Sequence, residues 1–65
     1  MKIVAHTPHG VFNGNEIEYN EEQYKLIGSL LEKLNQLEYF SFETPNGEIY
    51  MNKEMIGKSV FVLEK

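Results

Sequence analysis

The sequence predicts a small α+β domain, in which an antiparallel sheet of two hairpins and a C-terminal strand packs on one amphipathic helix, in the order β-β-α-β-β-β. Three features predict it. Residues 20–38 repeat apolar side chains at helical spacing, residues 38–44 alternate aromatic with polar side chains, and the pattern Thr-Pro-x-Gly occurs twice between short apolar stretches. With 65 residues, the chain forms a single domain, residues 1–65.

The central helix is predicted over residues 20–38. At 100° per residue, its apolar side chains fall within one sector roughly 160° wide, opposite the charged ones. Asn20 is the expected N-cap, with Gln23 three residues on and glutamates in the first turn. Gly28 costs about 1 kcal/mol against alanine, so either another backbone packs close to it or the cost is tolerated.

The first two strands are predicted on either side of a tight turn. Residues 2–7 form the first strand, and Thr7-Pro8-His9-Gly10 reverses the chain into Val11 and Phe12, because proline and glycine suit successive turn positions. Asn13-Gly14-Asn15 then forms either a bulge or a loop. Residues 16–19 alternate and are expected to prolong the returning strand to the helix cap.

The last three strands follow the helix. Residues 38–44 form a strand, Thr44-Pro45-Asn46-Gly47 repeats the first turn, and residues 48–51 return. Asn52 is expected to cap a helical turn that stops at a left-handed Gly57. Residues 58–63 form the last strand, in which valines face one way, and Phe61 and Leu63 the other.

Both faces of the last strand are therefore apolar, and one helix about 28 Å long can cover only one face of a sheet. A chain this short hides only about 60% of its unfolded surface, and it has no cysteine to form a disulfide. We expect a homodimer that uses strand faces or a sheet edge. The candidate interaction residues are Tyr39, Tyr50, Phe61 and Leu63, and the predicted core is Ile3, Ile17, Ile27, Leu30, Leu31, Leu34, Phe40, Phe42, Ile49, Val60 and Val62.

Charge and hydropathy exclude several classes of partner. The net charge of −4 comes from ten glutamates and six lysines, without arginine. Arginine is the side chain best suited to phosphate and base recognition, so we expect no binding to nucleic acid. No stretch approaches the roughly 20 apolar residues of a membrane span, and the first residues do not form a secretory signal. We expect a soluble, cytoplasmic protein.

The sequence offers little for catalysis. His6 and His9 are spaced as a metal or general-base pair would be, but neither cysteine nor aspartate is available to complete a tetrahedral site. None of the three serines has a triad neighbourhood, and the glycines occur singly at turns. We therefore expect no enzyme activity, no cofactor and no metal.

Two other hypotheses stay open beside the interaction module. The glutamates could imitate the phosphates of nucleic acid, so that the chain inhibits an enzyme that binds nucleic acid; such mimicry requires one continuous negative stripe. A metal-dependent or catalytic role around His6 and His9 is the third.

The whole pattern resembles the small uncharacterised proteins of tailed bacteriophages. The resemblance rests on a short hairpin, one capped helix, the stretch Phe-x-Phe-Glu-Thr-Pro-Asn-Gly-Glu-Ile-Tyr, and the ending Lys58-Ser59-Val60-Phe61-Val62-Leu63-Glu64. It transfers no site residue. It implies a virus-encoded accessory protein of the host-cell cytoplasm that acts through contacts with a host or phage protein.

Overall fold

The computed structural model describes residues 1–65 and confirms the α+β class and the predicted order of the main elements. The elements are β1 Lys2–Thr7, β2 Gly10–Asn13, α1 Glu21–Glu32, a 3-10 turn Leu34–Gln36, β3 Tyr39–Thr44, β4 Gly47–Asn52, α2 Lys53–Gly57 and β5 Val60–Glu64. The strands form two antiparallel sheets, β2-β1-β5 and β3-β4. The first and last strands are neighbours, because β5 lies antiparallel beside β1.

The two hairpin turns have the same geometry, as their shared sequence predicts. Thr7 Oγ1 donates to the carbonyl oxygen of Gly10 at 2.9 Å and accepts the N–H of the residue before that glycine. Thr44 Oγ1 donates to the carbonyl oxygen of Gly47 at 2.7 Å and accepts the corresponding N–H. Both glycines have positive φ, 129° and 131°, a conformation that side chains disfavour. The threonine hydroxyl closes each turn by hydrogen bonds, and the glycine adopts the positive φ that the turn requires.

The central helix begins where predicted and ends earlier. Asn20 Oδ1 accepts the N–H of Gln23 at 2.9 Å, which confirms the cap. However, α1 ends at Glu32, so the predicted end at residue 38 is wrong. The chain tightens into the 3-10 turn because the apolar spacing of Leu34 and Leu37, three residues, suits 3.0 residues per turn as well as 3.6.

The short second helix is also capped as predicted. Asn52 Oδ1 accepts the N–H of Met55 at 2.9 Å, and Ile56 of this helix is buried in the core. The predicted left-handed stop at Gly57 is wrong, since the only glycines with positive φ lie in the two hairpin turns. The helix ends instead on i→i+3 hydrogen bonds from the N–H groups of Lys58 and Ser59.

The segment after β2 connects the two sheets and is not a strand. The N–H of Gly14 donates to the carbonyl oxygen of Ile3 at 2.7 Å, and the N–H of Asn15 donates to that of Glu43, on the other sheet, at 3.0 Å. Of the two alternatives for residues 13–15, a bulge or a loop, the structure has the loop, which begins after β2 ends at Asn13. The predicted strand over residues 16–19 is wrong, because among these residues only Ile17 makes a backbone hydrogen bond to the first strand's side, from its N–H to the carbonyl oxygen of Met1, and no ladder forms.

The core lies between the two sheets, where α2 and the 3-10 turn close its ends. Its centre is Ala5, Leu34, Phe40, Phe42, Met51 and Ile56. Rings from the two sheets meet there: Phe40 and Phe61 are edge to face, with centroids 5.6 Å apart. The molecule is only 15 Å across its shortest axis, about the thickness of two stacked sheets. Residues on the outer faces of both sheets, such as Val60 and Tyr50, are exposed.

The predicted core needs correction in four places. Ile17, Leu30, Val60 and Val62 are exposed. Each was placed in the core on the assumption that α1 covers a single sheet, but α1 has no buried residue and packs mainly on β5. The buried residues that the sequence pattern did not identify are Met1, Val4, Ala5, Met51 and Ile56.

Candidate interaction surfaces

The outer face of the three-stranded sheet presents valines from both of its flanking strands. The cross-strand register places Val11 and Val60 on either side of His6, and Val62 beside Val4. Val60 is 65% exposed, Val11 55% and Val62 39%, and His6 is exposed between them. We call His6, Val11, Val60 and Val62 the valine face. Val4, which the same register places on this face in the central strand, is only 3% exposed. The exposed valines therefore lie on the two flanking strands, around a centre that the chain itself covers.

The charges at the end of the valine face balance each other. Lys2 and Glu64 are opposite one another in the same register, and Lys2 Nζ lies 3.9 Å from Glu64 Oε1. No other lysine or glutamate lies on this face of the paired strands, because the remaining positions are the four residues of the face, Val4 and Asn13. The surface is thus apolar and locally neutral on a chain whose net charge is −4.

Two of the four candidate interaction residues lie on the outer face of the β3-β4 hairpin. Tyr39 is 74% exposed and Tyr50 is 76% exposed. The Tyr50 hydroxyl donates to Glu48 Oε2 at 3.1 Å. This hydrogen bond, with the negative charge of Glu48, raises the pKa of Tyr50. Both rings are therefore available to a partner.

The other two candidates are on the inner side of β5. Phe61 and Leu63 are half-buried, and Phe61 packs against the core. The structure therefore separates the four candidates between the outer face of one sheet and the inner face of the other. Val60 and Val62, which alternate with these two residues and belong to the predicted core, form the exposed side of this strand.

A groove runs along the free edge of β4. It has a volume of about 450 Å³ and is lined by Thr7, His9, Phe12, Glu48, Ile49, Tyr50, Met51, Asn52 and Met55. Five of these residues are consecutive, and successive side chains of a strand point to opposite faces. Residues 48–52 therefore line the groove through their backbone, along the edge of β4 that faces away from β3. We call this feature the edge groove.

Half of the glutamates form ion pairs and half do not. Five of the ten glutamates lie within 4.0 Å of a lysine or the N-terminal amine. Glu43 and Glu48 have no such cation and lie directly opposite one another across the hairpin. Like charges in that arrangement repel. This pair is thus an uncompensated negative site at one end of the edge groove.

The N-terminal amine forms the most enclosed ion pair of the chain. It lies 2.8 Å from Glu16 Oε2 and also donates to the carbonyl oxygen of Ile17. The hydrogen bond from the amine, then its positive charge, lowers the pKa of Glu16. The contact anchors the start of β1 to the connecting segment.

The two histidines do not form a site together. His6 lies on the valine face, whereas His9 is in the first turn and lines the edge groove. No group of three or more histidine, aspartate or glutamate side chains is placed to hold a metal ion. The metal or catalytic hypothesis for these residues has no supporting geometry, and the absence of enzyme activity stays a prediction.

Sequence reasoning missed the valine face and the edge groove for different reasons. Alternation in β5 showed that both of its faces are apolar, but it did not show which one points inward. The greater size of Phe61 and Leu63 was the available signal, since larger side chains fill a core better. The edge groove had no local signal, because it depends on the placement of one hairpin beside the other.

No helix is long and apolar enough to cross a membrane. Comparison of the chain with protein-family models, with characterised proteins and with solved structures finds no match. The resemblance to small phage proteins accordingly stays a prediction.

Proposed function

We propose that this protein is a non-catalytic protein-interaction module that forms a homodimer through the valine face. The observation that carries the proposal is the exposure of Val11, Val60 and Val62 on one face of the three-stranded sheet. A small domain gains stability from covering such a surface. Full burial of a fully exposed valine contributes about 1.5–3 kcal/mol. Each dimer would cover six valines that are 39–65% exposed in one chain, so each contributes a fraction of that value.

The shape and charge of the valine face favour a second copy as its partner. β-branched side chains form a flat surface, and two such surfaces stack about 10 Å apart. A two-fold axis brings the same patch of both chains together. Because the Lys2 and Glu64 charges balance at its end, the two patches meet without net repulsion, although the chain as a whole is acidic.

The first prediction tests the dimer by placing a charge on this face. Val60→Lys should raise the dissociation constant of the dimer by about tenfold or more, since a buried lysine without a partner is costly. Sedimentation or light scattering at micromolar concentration should give twice the 7.6 kDa of one chain for the unmodified protein and a lower mass for the variant.

Leu26→Lys is the matched control. Leu26 lies on α1 and is 60% exposed, similar to Val60, but it lies outside the valine face, so the same substitution should leave the dimer intact. An unmodified protein that stays monomeric at micromolar concentration contradicts the proposal. So does a dimer that Leu26→Lys and Val60→Lys weaken equally.

The acidic-mimic alternative gains no support from the charge distribution. Half of the glutamates are paired with cations, and lysines interrupt the acidic positions of α1 and α2. The dimer is proposed to act as an accessory protein on a further host or viral protein, as the resemblance to phage proteins implies. That second partner requires a surface other than the valine face.

A further inference from the structure

We propose that the edge groove binds an extended segment of a partner protein, in which apolar residues alternate with lysine or arginine, and adds it as a new strand beside β4. The proposal concerns a different surface from the dimer and goes beyond it. Such strand addition is a common mode of peptide recognition, with affinity from main-chain hydrogen bonds and specificity from alternate side chains.

The first support is that one edge of the β3-β4 sheet is available and the other is partly used. On the β3 side, the carbonyl oxygen of Glu43 already accepts the N–H of Asn15. On the other side, β4 has no neighbouring strand. An unpaired edge presents a row of N–H and C=O groups to an incoming strand.

The second support is that apolar side chains line the groove beside that edge. Phe12 and Met55 line the groove from the first hairpin and from α2, with Ile49 and Met51 on the β4 side. Methionine side chains are flexible and adapt to different apolar partners. An added strand would direct every second side chain toward these apolar residues, so those positions of the partner should be apolar.

The third support is the charge on the opposite side of the added strand. Glu48 is the only charged residue that lines the groove, and it faces Glu43 with no lysine within 4.0 Å of either carboxylate. A lysine or arginine on the outer side of the partner strand would offset the repulsion of the two carboxylates. The remaining positions of the partner should therefore be basic.

A second copy of this chain fits the groove less well than a separate segment does. The tip of the first hairpin, with Thr7 and His9, forms part of the groove, and a second copy that used its own β4 would bring a second hairpin tip into the same space. It would also bring another net charge of −4. A single basic segment brings neither a second hairpin tip nor additional negative charge.

The test is fluorescence anisotropy with a labelled peptide as long as β4, six residues, that alternates lysine and valine. We expect saturable binding, and binding at least about tenfold weaker for a peptide that alternates glutamate and valine. A third peptide has the lysine–valine sequence with methyl groups on all of its backbone nitrogens, so that neither edge of the strand is free. It removes donors and obstructs strand addition, so its binding should be lost.

Glu48→Lys and Glu43→Lys form the matched pair of variants. Each removes the like-charge opposition, so both should fold, which circular dichroism can check. Only Glu48 lines the groove, so Glu48→Lys should weaken binding of the lysine–valine peptide by about tenfold, and Glu43→Lys by clearly less. Glu48→Lys should also improve binding of the glutamate–valine peptide.

Three results would overturn the proposal: no binding of the lysine–valine peptide, equal binding of the backbone-methylated peptide, or self-association that depends on Glu48 and thus places a second copy in the groove. Val60→Lys should bind the lysine–valine peptide normally. The experiments can therefore reject dimerisation through the valine face and peptide binding in the edge groove independently of each other.

Discussion

At the scale of single residues, backbone hydrogen bonds to side chains were the most predictable features of this protein. Asn20 and Asn52 cap their helices as expected, and the threonines of the two turns behave alike. These bonds involve residues close in sequence, so the local chemistry is sufficient to infer them. Contacts across the fold, such as the close approach at Gly14, give no such local signal.

Gly14 is the residue whose substitution should be least tolerated. A Cβ atom at this position would lie 2.8 Å from the carbonyl oxygen of Ile3 and 3.4 Å from Phe42 Cδ2. Because the first neighbour is backbone, Gly14→Ala should lower the free energy of unfolding by about 1–3 kcal/mol. Urea unfolding measures the change, and an unchanged midpoint would show that the segment relaxes freely.

Glu16 should give a small pH dependence of stability. Its pKa is lowered in the folded state by the N-terminal amine, so its contribution is present above the ordinary pKa of glutamate and is lost as the pH falls through the lowered folded value. The melting temperatures of the unmodified protein and of Glu16→Gln should therefore differ at neutral pH, and the difference should shrink as the pH falls below the ordinary pKa of glutamate, about 4.3. A difference that is constant down to about pH 3 contradicts this assignment.

At the scale of elements, the sequence predicted the existence of helices and strands better than their ends. The apolar spacing continued past the end of α1 because a 3-10 turn preserves the contact of residues three apart. Residues 16–19 alternate as a strand would, yet only Ile17 bonds to the backbone beside it, at Met1, while the preceding Asn15 bonds to Glu43 of the other sheet. In both segments the sequence has the periodicity of a helix or a strand, but contacts with other parts of the chain determine the conformation.

Gly28 lies within α1, where replacing it with alanine should stabilise the helix. A Cβ atom there would meet nothing within 4 Å, so of the two explanations for a glycine in α1, the tolerated cost is the one that fits. Gly28→Ala should raise the free energy of unfolding by about 0.5–1 kcal/mol. It is the counterpart of Gly14→Ala, since the same substitution should have opposite signs. Thermal or urea unfolding of both variants tests this, and a loss of stability in Gly28→Ala would contradict the open surroundings of this glycine.

At the scale of the whole molecule, the division into two sheets could not be read from the sequence. Strand count and order suit one sheet of five strands or two smaller sheets equally, and the pairing of β5 with β1 joins opposite ends of the chain. The misplaced core residues follow from this single ambiguity. With one sheet beneath α1, Val60 and Val62 would be covered; with two sheets stacked on each other, Phe61 has that position.

Only nine of the 65 residues are buried, which is little apolar contact for an isolated domain. The candidate interaction residues show the same ambiguity as the core: two tyrosines lie on an exposed face, while Phe61 and Leu63 face inward. A single correct statement from the sequence, that β5 is apolar on both sides, was sufficient to predict an uncovered surface, though not its location.

The connecting segment over residues 14–17 has a consequence for how the molecule comes apart. Its backbone groups bond to β1 through Ile3 and Met1, and to β3 through Glu43. Neither hairpin can open fully without breaking this shared link, so melting should be a single cooperative transition in which both sheets are lost together.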